Sequence, residues 1–310
     1  MAHHHHHSHQ QGTGQILKWS FFATLLFVVL ELVAGIRAGS LALISDSGHN
    51  FTDALSLVLA AIGFHLQSKP ANSVKTYGYH RAGVLTAFVN ALTLVGISLF
   101  IFYEAWQRFL HPAHVQEWIM LWVATAALVL NAAVMWGLHR EKDHDLNIRA
   151  AFMHMFGDAV SSFAIILGAI AIHFTGLEII DPILSVLIGA LIIWTAWDII
   201  KESLNVLLEG LPRGVELSEV TGAMRALDGV IDVHDLHIWC LGSKANALSC
   251  HVLIEDMPPS ESNAILQRIN DLLCGFQINH TTIQFEHAKC ALSDTHCSMV
   301  PQSHEHEHPA

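Results

Sequence analysis

The amino-acid sequence predicts an all-α bundle of six transmembrane helices followed by a small α+β domain. Three observations lead to this fold class. Of the 310 residues, 52% are hydrophobic and only 14% are charged, too few charges for a soluble protein of this length. Six apolar stretches are long enough to cross a bilayer as helices, and none contains Lys or Arg. After residue 200 the apolar stretches shorten and turn signals appear, as in Leu211-Pro212-Arg213-Gly214.

The predicted spans lack the polar faces that a large soluble helical core would need. They are Trp19–Ile36, Leu41–Leu66, Ala82–Gln107, Val115–Leu138, Ala150–Phe174 and Leu177–Ile199.

Basic residues beside the span ends predict the orientation. Only Arg37 and Arg108 lie on the side opposite the termini. Because basic residues concentrate on the cytoplasmic side, we expect a multi-pass protein of the cell inner (plasma) membrane with both termini in the cytoplasm. The basic residues on the terminal side are Lys18, Lys69, Lys75, Arg81, Arg140, Lys142, Arg149, Lys201 and Arg213.

The remainder of the chain predicts a cytoplasmic domain of about 80 residues with the order helix, strand, strand, helix, strand. The expected elements are the helices Val215–Leu227 and Ser260–Leu273 and the strands Val230–Cys240, Ala247–Ile254 and Thr281–Glu286. We therefore expect the whole chain to have four parts: a His-rich tail or tag (1–15), the transmembrane domain (16–208), the cytoplasmic domain (209–290) and a flexible His- and Cys-containing tail (291–310). Whether the N-terminal His run is native or a tag stays open. A net charge of −12 argues against nucleic acid as a partner.

Two copies of a His-x3-Asp pattern lie in the second and fifth predicted spans. The first is His49 with Asp53, and the second is His154 with Asp158. Four residues separate the members of each pair, which places them on one face of a helix, one turn apart. A carboxylate in hydrocarbon costs several kcal/mol unless it is compensated, and no basic residue is near in sequence.

A divalent metal ion compensates this charge best, since two carboxylates and two neutral imidazoles sum to −2. Two nitrogen and two oxygen ligands suit tetrahedral zinc better than calcium or magnesium. The alternative is a polar helix contact, which two copies at matched spacing make the weaker interpretation. Metal ligands must be deprotonated, so metal and protons compete for this site. Glu31 and Asp46 could line the pathway or form structural hydrogen bonds, and both interpretations stay open.

Four motifs resemble those of the cation diffusion facilitator family, specifically its bacterial zinc exporters. They are Ser-Leu-Ala-Leu-Ile-Ser-Asp-Ser-Gly-His-Asn-Phe-Thr-Asp at 40–53, Lys-Thr-Tyr-Gly-Tyr-His-Arg at 75–81, His-Asp-Leu-His-Ile-Trp at 234–239 and Thr-Ile-Gln-Phe-Glu at 282–286. The resemblance implies a ferredoxin-like cytoplasmic domain, a homodimer and proton-driven export of zinc. It assigns the transport site to His49, Asp53, His154 and Asp158. His at the first of these positions accompanies zinc preference in the family.

The resemblance also favours His234, His251 and Glu286 as a cytoplasmic regulatory zinc site. Regular strand geometry would place His234 and His237 on opposite faces and separate His280 from Glu286 by about 20 Å. For His237, the alternative to a metal role is that it caps a turn or fills an interface. Cys290, His296 and Cys297 could reach a neighbouring subunit, although tail thiols that bind nothing are the favoured interpretation.

Three alternatives to zinc export follow from the same features. The scaffold could export manganese, iron, cobalt or cadmium, or the protein could be a membrane metal sensor that does not transport. A sensor has no need of ligands buried within the membrane. An intramembrane metalloprotease is disfavoured because the sequence has no His-Glu-x2-His motif, so we expect no enzyme activity.

Overall fold

A computed structural model describes residues 24–139, 146–242 and 245–288. The chain divides into two compact units. The first contains residues up to Ile62 and Thr86–Lys201, and the second contains Gly63–Leu85 and the chain from Glu202 onward. The two predicted tails, with Cys290, His296 and Cys297, lie outside the described residues.

Long helices form the first unit, and three of them continue into the second. Each predicted span overlaps one helix. Among the described residues, three complete helices and residues 152–175 of a fourth are long and apolar enough to cross a membrane. The prediction of a helical membrane part is therefore confirmed. The helices are α1 (24–38), α2 (Leu41–Gln67), α3 (Ala82–Leu110), α4 (Glu117–Leu138), α5 (Leu146–Thr175) and α6 (Ile180–Leu207), of which α3, α4, α5 and α6 supply those spans.

Alanines alternate with larger aliphatic residues in the core of this helical unit, and large apolar residues also cover its outside. Ala42, Ala91 and Ala169 are almost fully buried, which lets helix backbones approach closely. Trp136 and Trp194 are 86% and 72% exposed. Such an apolar exterior would be costly in water but suits contact with lipid.

Asp181 at the start of α6 caps the N-terminus of α2. Its carboxylate accepts hydrogen bonds from the Ser40 hydroxyl at 2.6 Å and from the backbone N–H groups of Leu41 and Ala42 at 2.7 and 3.2 Å. The first N–H groups of a helix have no partner within the helix, and a carboxylate there also complements the helix dipole. One residue of α6 thus fixes where the helix that carries His49 and Asp53 begins.

Arg108 of α3 neutralises this buried carboxylate. Its guanidinium lies 3.2 Å from Asp181 Oδ2 and also donates to the carbonyl of Gly39. Gly39 has φ +63°, and a Cβ atom there would lie 2.7 Å from the carbonyl oxygen of His114. Only glycine fits this corner, because it tolerates both the left-handed backbone and the close approach.

The second unit contains a three-stranded sheet with two helices. Strand order is β1-β2-β3; β1 and β2 are antiparallel, and β2 and β3 are parallel. The predicted order of elements is confirmed, and so is the small α+β domain. Its elements are α7 (Leu217–Arg225), β1 (Asp232–Gly242), β2 (Ala245–Leu253), α8 (Pro259–Gly275) and β3 (Ile278–Glu286).

A bulge in β1 breaks the regular strand geometry that was assumed for His234 and His237. Their partners on β2, His251 and Ser249, are two residues apart and share a face, whereas His234 and His237 are three apart. One extra residue is accommodated here, with Asp235 at φ 50°. The expectation of opposite faces was therefore wrong, because β-bulges carry no clear signal in a single sequence.

We predict that Asp181→Ala destabilises the purified protein far more than Asp198→Ala. Loss of the cap leaves Arg108 and two helix N–H groups without their buried partner, which typically costs about 3–5 kcal/mol. Asp198 also lies on α6, but its ion pair with Lys201 is exposed and contributes about 1 kcal/mol or less. Thermal unfolding in detergent measures the difference. Equal melting temperatures for the two variants would contradict the assigned role of the cap.

Candidate metal centre

The two His-x3-Asp pairs meet in the first unit. His49 Nε2 lies 3.7 Å from Asp53 Oδ2 within α2, and His154 Nε2 lies 3.7 Å from Asp158 Oδ2 within α5. Between the helices, His49 Nε2 is 3.5 Å from Asp158 Oδ1, and His154 Nε2 is 3.3 Å from Asp53 Oδ2. Each imidazole therefore contacts both carboxylates, and the four side chains form a closed ring.

The spacing in this ring fits one small tetrahedral ion. Zinc binds nitrogen and oxygen ligands at about 2.0–2.1 Å, so neighbouring ligand atoms of a tetrahedral site are about 3.3–3.4 Å apart. The four histidine–carboxylate distances, 3.3 to 3.7 Å, are close to that value. Ligand atoms of His49, Asp53 and Asp158 all lie within 4.8 Å of one another, and His154 completes the ring through its two carboxylate contacts.

Burial differs strongly around the ring. The Asp158 side chain is 8% exposed and the His154 side chain 44%. Asp53 Oδ2, which faces both imidazoles, is buried and receives no hydrogen bond from the described residues. A buried acceptor without a donor is costly, and a bound cation would satisfy it.

The ring has no basic side chain to balance its charge. In the described part of the chain, each ion pair of these four residues joins two of the four. With neutral imidazoles, the two carboxylates leave the site at −2. A single divalent cation would bring it to zero.

Glu31 and Asp46, whose role the sequence left open, both lie in the interior of the helical unit. They are 0% and 2% exposed. Glu31 accepts a hydrogen bond from the Asn50 amide at 3.1 Å, and Asp46 accepts one from the Ser161 hydroxyl at 2.8 Å. Asn50 and Ser161 were not among the predicted site residues, although each lies within three residues of a predicted ligand.

The second predicted cluster also comes together, at one end of the sheet. Glu286 at the end of β3 contacts His234 Nε2 at 3.2 Å through Oε2 and His251 Nδ1 at 2.9 Å through Oε1. His234 and His251 are partners in the β1–β2 pairing, and their rings are 5.4 Å apart. Both ring nitrogens of His234 are buried without a hydrogen bond among the described residues. Two imidazoles and a carboxylate can supply three of the four ligands of a zinc ion.

Asp235 lies at the edge of this cluster, with Oδ2 3.9 Å from His251 Nε2, whereas the other histidines of the domain are not among its members. His237 pairs with Asp235 at 3.0 Å, and His280 packs its ring against Tyr77 at 5.3 Å. Cys250 precedes His251 but points into the hydrophobic core. Burial raises the pKa of its thiol to about 12, with the Asp235 charge acting in the same direction, so it is a poor metal ligand at neutral pH.

Comparison with known proteins decides the family. The sequence model described as "Cation efflux transmembrane domain" matches residues 17–208. The chain belongs to the cation efflux family. A second model, "Cation efflux protein, cytoplasmic domain", matches residues 212–288. As a member of a transporter family, the protein is not an enzyme.

Relatives in the cation efflux family match almost the whole chain. The zinc transporter ZitB of Pectobacterium atrosepticum is 39% identical over 98% of this chain and 94% of the relative. A cadmium, cobalt and zinc/H(+)-K(+) antiporter of Bacillus subtilis is 38% identical over 90% of this chain and 91% of its own. A solved structure, the metal-bound C-terminal domain of the CzcD transporter from Cupriavidus metallidurans, is 40% identical. It covers 23% of this chain and 99% of that one, with a TM-score of 0.22.

The geometry of the second cluster predicts that His234→Ala combined with His251→Ala removes one bound zinc ion per chain. An ion that binds only the folded domain stabilises it by mass action, so the double variant should also lose zinc-dependent thermal stabilisation. Zinc content after dialysis and melting temperatures with and without zinc measure both effects. The matched control is His237→Ala with His280→Ala, two histidines outside the cluster. If both double variants retain the zinc content of the parent, these side chains have a structural role only.

Proposed function

We propose that this protein exports zinc(II) from the cytoplasm in exchange for protons, by alternating access around His49, Asp53, His154 and Asp158. The observation that carries the proposal is the closed ring of two imidazoles and two carboxylates, at −2 and without a basic partner. Such groups inside a membrane are expensive, and they occur where a substrate crosses.

Zinc is the best substrate for this donor set. Imidazole nitrogen with carboxylate oxygen in tetrahedral spacing suits zinc, whereas manganese prefers oxygen-rich sites. The relative from Pectobacterium is named a zinc transporter. Cadmium and cobalt are the next candidates, because the Bacillus relative is named for all three metals. Export of manganese or iron is the weaker alternative for a site with two nitrogen ligands.

Proton exchange follows from the chemistry of the ligands. Each must be deprotonated to bind zinc, so protons that enter from outside displace the ion there, and ion entry from the cytoplasm releases them. Two states that open the ring to opposite sides convert this competition into coupled transport. The Bacillus relative is named a zinc/H(+)-K(+) antiporter, which supports protons among the exchanged ions.

The architecture that accompanies this function is also proposed. All six helices cross the plasma membrane within residues 16–208, and both termini are cytoplasmic. Residues 209–290 form a ferredoxin-like domain, through which two copies of the chain form a homodimer. In that domain His234, His251 and Glu286 bind zinc as a regulatory ligand.

A membrane metal sensor that does not transport would also use the cytoplasmic cluster. It would have no use for a ligand ring on α2 and α5, and this observation favours transport. A measurement of flux separates the two functions directly.

We predict that Asp158→Asn abolishes zinc flux driven by a pH gradient in proteoliposomes. The change removes half of the negative charge of the ring, so the zinc-bound site carries +1 in a low-dielectric environment. Fluorescent detection of zinc inside the vesicles measures the flux. The control is Asp198→Asn, which removes an exposed carboxylate from α6 and should leave the flux within about twofold of the parent. Parental flux in Asp158→Asn would exclude the ring as the transport site.

We predict that His49→Asp lowers the preference for zinc over manganese. Oxygen replaces nitrogen as one ligand, and the empty site gains negative charge, which favours harder ions. Competition between the two metals in the same flux measurement gives the ranking. An unchanged ranking would mean that His49 does not set the selectivity.

A further inference from the structure

The connection between α2 and α3 carries two lysines without acidic partners. Lys69 and Lys75 are exposed, and neither forms an ion pair within the described part of the chain. On a protein with a net charge of −12, they form an uncompensated positive spot. Other basic residues predicted on the same side of the membrane are each paired with a carboxylate at 3.1 or 3.2 Å: Arg81 with Glu209, Lys201 with Asp198 and Arg213 with Glu202.

Asn72 folds this connection into an ordered loop. Its side-chain oxygen accepts hydrogen bonds from the backbone N–H groups of Val74 and Lys75 at 2.9 and 2.8 Å. Its own backbone N–H donates to the carbonyl of Lys75 at 3.0 Å. Such a turn fixes the backbone without a helix or strand. Because the backbone at Lys75 is already ordered, a ligand that binds there immobilises less of the chain.

The loop begins where apolar helix surface ends. It directly precedes α3, which is long and apolar enough to cross a membrane. Phe64 in the last turn of α2 is 75% exposed, and Leu85 in the first turn of α3 is 51% exposed. Apolar side chains in such positions suit contact with lipid tails. Lys69 and Lys75 lie between them in the sequence, so the chain passes from apolar to positively charged surface, as at the boundary between hydrocarbon and headgroups.

We propose that the loop of residues 68–81 binds an anionic phospholipid, with Lys69 and Lys75 contacting the headgroup phosphate. The ligand is a lipid and not a soluble phosphate, because the lysines adjoin helix ends whose exposed side chains are apolar. This binding goes beyond the proposed transport and does not depend on the metal that is carried.

Charge distinguishes anionic lipids from neutral ones at this loop. Each lysine close to an anionic membrane surface strengthens binding about fivefold, so two together strengthen it about tenfold to thirtyfold. The chain as a whole cannot supply this attraction, since its net charge of −12 repels an anionic surface. A preference for anionic lipid therefore requires a local positive site.

The test measures binding of phosphatidylglycerol to the full-length chain in a neutral detergent. Native mass spectrometry gives the affinity for this lipid, with phosphatidylcholine as the neutral comparison and glycerol 3-phosphate as a soluble competitor. The variant is Lys69→Ala with Lys75→Ala. The matched control is Lys201→Ala with Arg213→Ala, which also removes two positive charges, but charges that are already paired. A second variant, Lys69→Arg with Lys75→Arg, keeps the charge.

The parent should bind phosphatidylglycerol more tightly than phosphatidylcholine, and the alanine variant should lose about tenfold to thirtyfold of its affinity for phosphatidylglycerol. The matched control and the arginine variant should stay within about twofold of the parent. Added salt should weaken binding by the parent, because exposed charges are screened. Without lipid, the melting temperatures of the alanine variant and the parent should agree, since the substitutions break no ion pair.

Three outcomes would overturn the proposal. Parental affinity for phosphatidylglycerol in the alanine variant would mean that the two lysines do not contact the lipid. An equal loss in the matched control would mean that overall charge, and not this loop, attracts it. Displacement of the lipid by an equal concentration of glycerol 3-phosphate would mean that the loop binds soluble phosphates.

Discussion

Negative charge inside an apolar helical unit is the constraint on which this structure depends. Asp53 and Asp158 bring two carboxylates to one place on α2 and α5, and no basic side chain in the described part of the chain pairs with them. A charge in hydrocarbon is tolerated only with compensation. The two imidazoles of the ring can accept protons, and the ring can accept a divalent cation. Either compensates the charge, and competition between them is the chemical basis of the exchange that we propose.

The same unit contains a carboxylate that is compensated permanently. Asp181 is fully buried, yet Arg108, Ser40 and two backbone N–H groups satisfy it. That site has no place for an exchangeable ion, because its cation is part of the chain. The contrast between a neutralised carboxylate at the end of α2 and unneutralised carboxylates in its middle separates a structural role from a transport role. It also explains how α2 can be held firmly at one end while its ligands take part in an exchange.

Much of the fold and of the ligand ring could be predicted from the sequence, because local rules determine them. Helical periodicity places His49 and Asp53 on one face of a helix, and the absence of Lys and Arg marks the spans. The cap of α2 could not be predicted, since Ser40 and Asp181 are 141 residues apart and no local pattern indicates that they meet. The bulge at Asp235 was missed for a related reason. A strand pattern sets the alternation of side chains but does not indicate where an extra residue interrupts it.

The central claim, that two histidines and two aspartates hold one zinc ion, is tested most directly by X-ray absorption at the zinc K-edge. In the full-length chain, alanine replaces His234, His251 and the histidines and cysteines of the two tails (1–15 and 290–310), so that zinc is confined to the membrane part. A zinc ion bound by His49, Asp53, His154 and Asp158 should show four nitrogen and oxygen ligands at about 2.0 Å, with the multiple-scattering signature of two imidazoles. A shell of six oxygens, or a spectrum without imidazole scattering, would contradict it.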